Sequence, residues 1–360
     1  MRSINQFSAS ENHVVASSPR LARLARLDIG PRKDRIAANL WYRDGVSEEK
    51  KISGDQILRG LIEGGQARVV VATATHAVRE MVLRHKTLGV PAVALGRAAL
   101  AGLLLATLTK DEEQVTLQVL GNGPLGGVTV DARSSGRVRG FVKRPAAVPW
   151  DPGLASTPRL ALGDAIGKQG VVNVTRDLGL AQNYSGQVAL STGEIDEEVE
   201  HYLNASEQID SVLRCETLVD SDGQVTAAAG LLVQTLPQAH GAAVVEFLRD
   251  TLRGPAFTSV LRNALAKDTF DPEPIARAAL GQCGDDMKVL DLREVRFFCP
   301  CTRERAESTL GMLSPEDLKE MILETNDSEV TCNFCGQQYR FSEIEIERIR
   351  RKHDKPQIQS

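Results

Sequence analysis

Cys299-Pro300-Cys301 and, thirty residues on, Cys332-Asn333-Phe334-Cys335-Gly336 hold four of the chain's six cysteines in two tight pairs. No acid or histidine completes either pair. Thiolates in such pairs can meet a zinc ion tetrahedrally at about 2.3 Å. Cys-x-x-Cys followed by Gly presents two sulfurs from one turn, and Cys-x-Cys makes a tighter chelate with one residue between. The pattern points to zinc held by Cys299, Cys301, Cys332 and Cys335. Taken alone, such a four-sulfur site reads as structural, holding a small fold together.

The rest of the chain is ordinary in bulk. It has 360 residues, 42% hydrophobic and 25% charged, with a net charge of −4, which leaves room for two or three soluble domains. Aromatics are only 4%, so packing must rest on Val, Leu, Ile and Ala. The mildly acidic balance argues against a dedicated nucleic-acid binder. The most apolar run, Ala98 to Leu108, is about half the ~20 residues a membrane span needs. It reads as a buried core helix. Clustered cysteines without a signal peptide suggest a reducing, cytoplasmic setting, where zinc rather than structural disulfides is expected.

Residues 1–54 differ in composition from the rest of the chain. Ten Lys/Arg stand against six Asp/Glu, and the first 27 residues carry four arginines and one acid, Glu11. That composition leaves organellar import open, but no convincing amphipathic run accompanies it. A disordered extension is the expectation.

Residues 55–237 read as an α+β core domain. Val69 to Thr75 is β-rich. His76 to Gly89 reads as a helix ended by Gly89 and Pro91, with His76 and His85 on its polar face. Gly96 to Lys110 is the Ala/Leu-rich helix. A β-meander comes next, with alternating runs at Val115–Leu120, Gly127–Ala132 and Val138–Lys143 joined by Gly-rich turns. No Gly-Lys-Ser/Thr and no helix follow those glycines, so they are hairpin turns rather than a phosphate cradle. Pro145 to Pro158 is a loop around Trp150. Gly170–Thr175 and Gly186–Ser191 are further strands. Gly193 to Leu203 is a helix, with Ser191 or Thr192 near its cap. Glu194, Asp196, Glu197 and Glu198 suit its dipole and are read as capping, not metal ligands. Cys215 lies in a β-rich stretch and reads as a small buried apolar residue. Val225 to Leu236 is the last strand.

Residues 238–291 carry three short helical stretches, Gly241–Leu252, Thr258–Ala266 and Ile275–Leu280, broken by Gly254-Pro255 and Asp271-Pro272. Helices this short must pack on something. Cys283 falls here without a partner in the sequence. Residues 292–355 form the zinc-binding segment. Ser314-Pro315-Glu316-Asp317 opens a helix, a short strand ends at Phe341, and Ser342 caps a charged final helix.

The run Val295-Arg296-Phe297-Phe298-Cys299-Pro300-Cys301, with Val330-Thr331-Cys332-Asn333-Phe334-Cys335-Gly336-Gln337-Gln338-Tyr339-Arg340-Phe341 downstream, resembles the zinc switch of a bacterial family, the redox-regulated thirty-three-kilodalton heat-shock chaperonins. The resemblance runs from about Asp55 to Ile349. It includes Asn183-Tyr184-Ser185-Gly186-Gln187-Val188-Ala189-Leu190 and Ser191-Thr192-Gly193-Glu194-Ile195, a signature of the family's amino-terminal domain. It implies an amino-terminal β-sheet domain with packed helices, a metastable helical linker that lies on that sheet, and a small four-Cys zinc module. It also implies a redox-active centre: zinc bound when reduced, and disulfides Cys299 with Cys301 and Cys332 with Cys335 when oxidised. The oxidised form would be a homodimer that binds unfolding client proteins without ATP, as a stress-response chaperone.

The residues are compatible with that chemistry. Zinc keeps sulfur as thiolate, the form oxidants attack. A sulfenic acid would find a partner one or two residues away. A segment of about 60 residues has too little core to fold unaided, and structural zinc supplies about 10–16 kcal/mol of apparent folding free energy in small modules. Loss of the metal should therefore unfold it. The alternative function is a nucleic-acid-binding or regulatory protein with a structural zinc knuckle. The acidic balance of the zinc segment, eleven Lys/Arg against thirteen Asp/Glu from Arg293 to Lys355, weakens it. A third, an enzyme built on Cys215 or Cys283, has no support in the spacing.

Overall fold

The helix Val90–Ala106 is buried along all 17 of its residues in the computed structural model of the chain. A helix apolar all round must be covered on every side, and strands of two sheets pack against this one. The structure describes residues 14–16, 54–109, 113–177, 183–236, 241–324 and 327–353. They fall into two compact units that part at the bond between Cys299 and Pro300, with residues 14–16 in the second. The expected disordered extension at residues 1–54 lies, apart from strand β1 (Val14–Ala16) and Gly54, outside the described residues.

The first unit runs through β2 (Gln56–Ile62), β3 (Ala67–Thr73), α1 (Thr75–His85), α2 (Val90–Ala106), β4 (Gln114–Gly121), β5 (Val128–Arg133) and β6 (Arg137–Val142). It continues with α3 (Gly163–Ile166), β7 (Gly170–Asp177), β8 (Tyr184–Ala189), α4 (Ile195–Ala205), β9 (Ser211–Val219) and β10 (Val225–Thr235). Helices α5 (Ala242–Thr251), α6 (Ala256–Ala266) and α7 (Pro272–Leu280) come next, and strands β11 (Lys288–Glu294) and β12 (Arg296–Phe297) close it. One sheet has the order β11-β2-β3-β10-β9, the other β12-β6-β5-β4-β7-β8. The expected α+β architecture is what the chain adopts. Among the described residues no helix is long and apolar enough to cross a membrane.

Several boundaries differ from the sequence reading. Helix α2 starts at Val90, not Gly96, and Pro91 lies in its first turn, where a missing N–H costs nothing. The break before it comes from Lys86 and Gly89, both at positive φ. Two strands carry no clear sequence signal. β2 interrupts its apolar pattern with Arg59 and Gly60, and β11 exposes Val289, Leu290 and Leu292 together, so neither shows a clean period of two. The start of α4 is as expected. Thr192 lies near the cap, its Oγ1 accepting the N–H of the N-cap residue Glu194 at 3.1 Å, and the Glu198 carboxylate reaches back to accept the N–H groups of Ser191, Thr192 and Gly193 at 2.6–2.8 Å.

Strands β2, β3, β10 and β9 of the five-stranded sheet are buried on both faces. Ile57, Val70, Ala72, Leu213 and Leu232 point toward α2 and its core. Leu58, Val69, Val71, Val212, Leu231 and Val233 point the other way, onto Val245 and Leu248 of α5, Phe257 and Leu261 of α6, and Ile275 and Ala279 of α7. Burial on both faces explains why β3 reads as a continuous apolar run. Polar ties add to this cover. Thr258 in α6 donates to Glu216 Oε2 at 2.6 Å, and Arg214 Nε donates to the Leu252 carbonyl at 3.0 Å. Arg249 in α5 pairs with Glu200 and Asp210.

The second unit holds β1, α8 (Arg303–Leu310), α9 (Pro315–Glu324), β13 (Asp327–Cys332), β14 (Gln338–Ser342) and α10 (Glu343–His353), with sheet order β1-β13-β14. Its fully buried core is Ala306, Leu310, Leu318, Val330, Phe341, Ile346 and Ile349. So small a core supports little independent stability.

Candidate metal centre

Cys332 ends β13, and the chain turns at once. Gly336 N–H donates to the Cys332 carbonyl at 2.8 Å, and Cys332 N–H donates to the Gln337 carbonyl at 2.9 Å. Gly336 stands at φ 69°, a conformation that favours glycine. That turn brings Cys335 back beside Cys332. The first pair is placed by a strand. β12 runs parallel to β6, and Phe298 N–H continues the ladder to the Val138 carbonyl at 3.0 Å, so Cys299 is the next residue off a sheet edge. Pro300 links it to Cys301, and Thr302 then caps α8 by accepting from Arg305 N–H.

The four sulfurs lie within 4.8 Å of one another, and Cys301 Sγ and Cys335 Sγ are 3.2 Å apart. Sulfurs at about 2.3 Å from a tetrahedral zinc would be about 3.8 Å apart. All four are thiols rather than disulfides, Cys332 and Cys335 buried and Cys299 and Cys301 half-buried. An all-sulfur donor set of this size fits zinc and excludes hard cations such as Mg²⁺ or Ca²⁺. Among the described residues no other group of three or more His, Cys, Asp or Glu gathers in this way.

Two further side chains reach the first pair. Tyr339 on β14 donates its hydroxyl to Cys301 Sγ at 3.3 Å, and Arg139 on β6 donates Nη1 to Cys299 Sγ at 3.4 Å. Burial, the bond to Cys301 and the cysteine charges all raise the Tyr339 phenol, so it stays a donor. Burial works against the Arg139 charge, but Asp131 and Cys299 outweigh it and raise its pKa. Sequence reasoning missed both donors. Tyr339 is visible in the motif without a role. Arg139 lies 160 residues from Cys299 and carries no local signal.

The remaining candidates stay apart from this centre. Cys215 is buried on β9, where burial pushes its thiol well up, against the reactivity of a nucleophile. Cys283 lies in a short turn after α7, its thiol also raised by burial. His76 is exposed and His85 half-buried on α1. Glu194 Oε2 pairs with Arg97 while its Oε1 accepts the Leu162 and Gly163 N–H groups, and Asp196 pairs with Arg159.

The chain is similar to known proteins over most of its length. The family model described as "Hsp33 protein" matches residues 55–342. A "33 kDa chaperonin" of Desulforamulus reducens is 38% identical over 298 residues, 82% of this chain and 97% of that protein. Another, of Geobacillus kaustophilus, is 33% identical over 297 residues, 82% of this chain and 98% of that one. The crystal structure of a 33 kDa chaperonin, a heat shock protein 33 homolog from Thermotoga maritima, superposes with a TM-score of 0.73 at 31% identity. It covers 84% of this chain and 100% of the other.

Proposed function

Since the chain belongs to the Hsp33 family, we propose that it is a redox-regulated, ATP-independent holdase chaperone, inactive with zinc bound and active once oxidised. The observation that carries this reading is the convergence of Cys299, Cys301, Cys332 and Cys335 within 4.8 Å, three of them in a unit with a seven-residue buried core. When bound, zinc would hold the four sulfurs as thiolates and cross-link the two knuckles.

The oxidative steps need only the sulfurs and a peroxide. One thiolate of a near pair attacks a peroxide oxygen, the O–O bond breaks, and hydroxide leaves a sulfenic acid behind. The neighbouring thiolate attacks that sulfur, an S–S bond forms, and a second hydroxide departs. Each near pair, Cys299 with Cys301 and Cys332 with Cys335, thus gives up two electrons to one peroxide. A disulfide sulfur is a poor metal ligand, so the module loses its cross-link and unfolds.

In this reading residues 55–237 are the chaperone core, residues 238–291 a metastable linker and residues 292–355 the switch. Helices α5 to α7 cover an apolar face of the five-stranded sheet. Freed of them, that face is the kind of surface that binds unfolded clients without sequence preference. We take the active form to be a homodimer, the compartment to be the cytoplasm and no catalytic group to be required. The test is to treat the reduced, zinc-loaded chain with peroxide under mild heat, then measure zinc release and the aggregation of a chemically unfolded client. Zinc should leave and aggregation should fall. Retained zinc or unchanged aggregation refutes the proposal.

A further inference from the structure

Three arginines grip the chain just before the first knuckle. Arg84 of α1 lies over the Phe297 ring at 4.8 Å and Arg137 of β6 over the Phe298 ring at 4.9 Å. Arg139, two residues on, reaches Cys299 itself. Its guanidinium is held in place. Nε and Nη2 donate to Asp131 Oδ2 at 2.9 and 2.7 Å, which leaves Nη1 aimed at the sulfur. The other Asp131 oxygen accepts from Thr116 Oγ1 at 2.7 Å. Thr116, Asp131 and Arg139 stand on β4, β5 and β6, and Thr116 and Asp131 are direct cross-strand neighbours, as are Asp131 and Arg139. The result is one line of hydrogen bonds across three adjacent strands that ends on a metal-ligand sulfur.

We propose that Arg139, oriented by Asp131 and Thr116, is a positioning residue of the redox switch: it fixes Cys299 for metal binding and lowers the reactivity of that sulfur relative to Cys332 and Cys335. This rests on the reading of the four cysteines as a zinc switch and adds a residue to it. A cationic N–H donor draws electron density from a thiolate, so the sulfur attacks peroxide less readily, and it holds the sulfur where the metal needs it. Only an arginine can do both, because the planar fork spends two donors on one carboxylate oxygen and keeps a third for the sulfur. Asp131 offsets most of the guanidinium charge, so the arrangement acts as an oriented dipole rather than as a free cation.

The test uses the full chain, reduced and loaded with zinc or with Co²⁺, as wild type, Arg139→Gln, Arg139→Lys and Asp131→Asn. Partners outside the ligand sphere typically contribute 10–100-fold to metal affinity. Arg139→Gln should therefore lose zinc to a chromophoric chelator at about 10–100-fold lower chelator strength. Its sulfur-to-cobalt charge-transfer band should shift. After short peroxide pulses, mass-spectrometric mapping should show a larger share of Cys299–Cys301 disulfide relative to Cys332–Cys335. Lys keeps the charge without the fork and should rescue only part of each effect. Asp131→Asn should move all three readouts in the same direction as Arg139→Gln, even if the latter folds poorly. A merely structural role for Arg139 predicts weaker binding with an unshifted band and unchanged disulfide ratio, and that result overturns the proposal. So does wild-type behaviour in Arg139→Gln and Asp131→Asn while wild type binds both metals. A wild-type chain that binds neither metal refutes the zinc reading itself, and this inference falls with it.

Discussion

The hold of α6 on the sheet can be loosened by one atom. Thr258 lies in the first turn of α6, 2% exposed, and its hydroxyl donates to Glu216 Oε2. Thr258→Val keeps the shape and removes the donor. A hydrogen bond to a buried charged group contributes about 1.5–3 kcal/mol. The cost should lie toward the low end, because Arg159 Nε remains 3.6 Å from the same oxygen and Arg97 still holds Oε1. About 1.5–2 kcal/mol raises the opening equilibrium of the helix roughly 10- to 30-fold. The assay is amide hydrogen exchange of the reduced, zinc-loaded chain read by mass spectrometry. Peptides from α6 should exchange faster by that factor, while peptides from β3 and β10 should keep their protection. Two results refute the reasoning. Unchanged exchange in α6 means that the Glu216 tie contributes nothing. Equal loosening of β3 and β10 means that α6 does not open apart from the core.

Other perturbations test the same structure. Cys332→Ser should abolish tight zinc binding and the exchange protection of residues 303–353, because seven buried residues cannot replace about 10–16 kcal/mol of metal-linked folding free energy; the first unit should keep its urea midpoint, and a folded, zinc-free second unit would contradict this. Gly96→Ala would set a Cβ 2.3 Å from Thr217 Oγ1 and 2.9 Å from its Cγ2, so α2 must shift off β9 at a cost of about 1–3 kcal/mol in urea unfolding. Thr217→Ala in the same chain should recover part of that loss. Acid sensitivity should trace to Asp196: burial alone would raise its carboxyl, but Arg159, Arg97 and Arg214 hold it below the ordinary value. Its contribution is thus complete above the unfolded value of about 3.9 and is lost as pH falls through the lower folded value. Asp196→Asn should flatten the acid limb of stability against pH, and an unaltered limb would assign the acid sensitivity to other groups.

What the sequence made legible was what repeats or clusters locally. The four sulfurs declare themselves by spacing. The meander β4 to β6 declares itself by alternation and Gly-rich turns, and the covering helices by apolar residues three and four apart. What stayed hidden depends on partners far along the chain. β11 becomes a strand because it pairs with β2 some 230 residues earlier, Lys288 opposite Leu61 and Glu294 opposite Gln56. Its own residues are largely exposed and offer no pattern. Pro91 reads as a stop but is a start, because proline suits the first helical turn as well as it breaks the later ones. Arg139 and Arg97 are single arginines in sequence, and only the fold gives them Cys299 and Glu216 to serve.

The sheet face under helices α5 to α7 is itself informative. Along β9 the residues that share that face are Val212, Arg214, Glu216 and Leu218, two charges in the middle of an apolar strip. A surface meant to stay buried would be cheaper with Val or Leu there, since buried ion pairs add little net stability over apolar packing. Arg214 is tied to Glu200 and also to the carbonyls of Leu252 and Arg249, and Glu216 to Arg97 and also to Thr258, so helices α5 and α6 supply part of the partners of each. In the detachment that the proposed function requires, water would take over those roles, which lowers the cost of opening without removing the apolar residues on either side. Helices of 9–11 residues have little stability of their own, so the covered state then depends on a modest surplus of contact over hydration. Arg214→Met should raise that surplus, because Glu200 keeps Arg249 and the Leu213 N–H as partners, whereas Glu216 must stay to hold the buried Arg97. Under the proposed function, exposure of the face after oxidation should then be delayed, read as slower binding of an environment-sensitive apolar dye; dye binding as fast as in wild type would mean that the Arg214 charge plays no part in release.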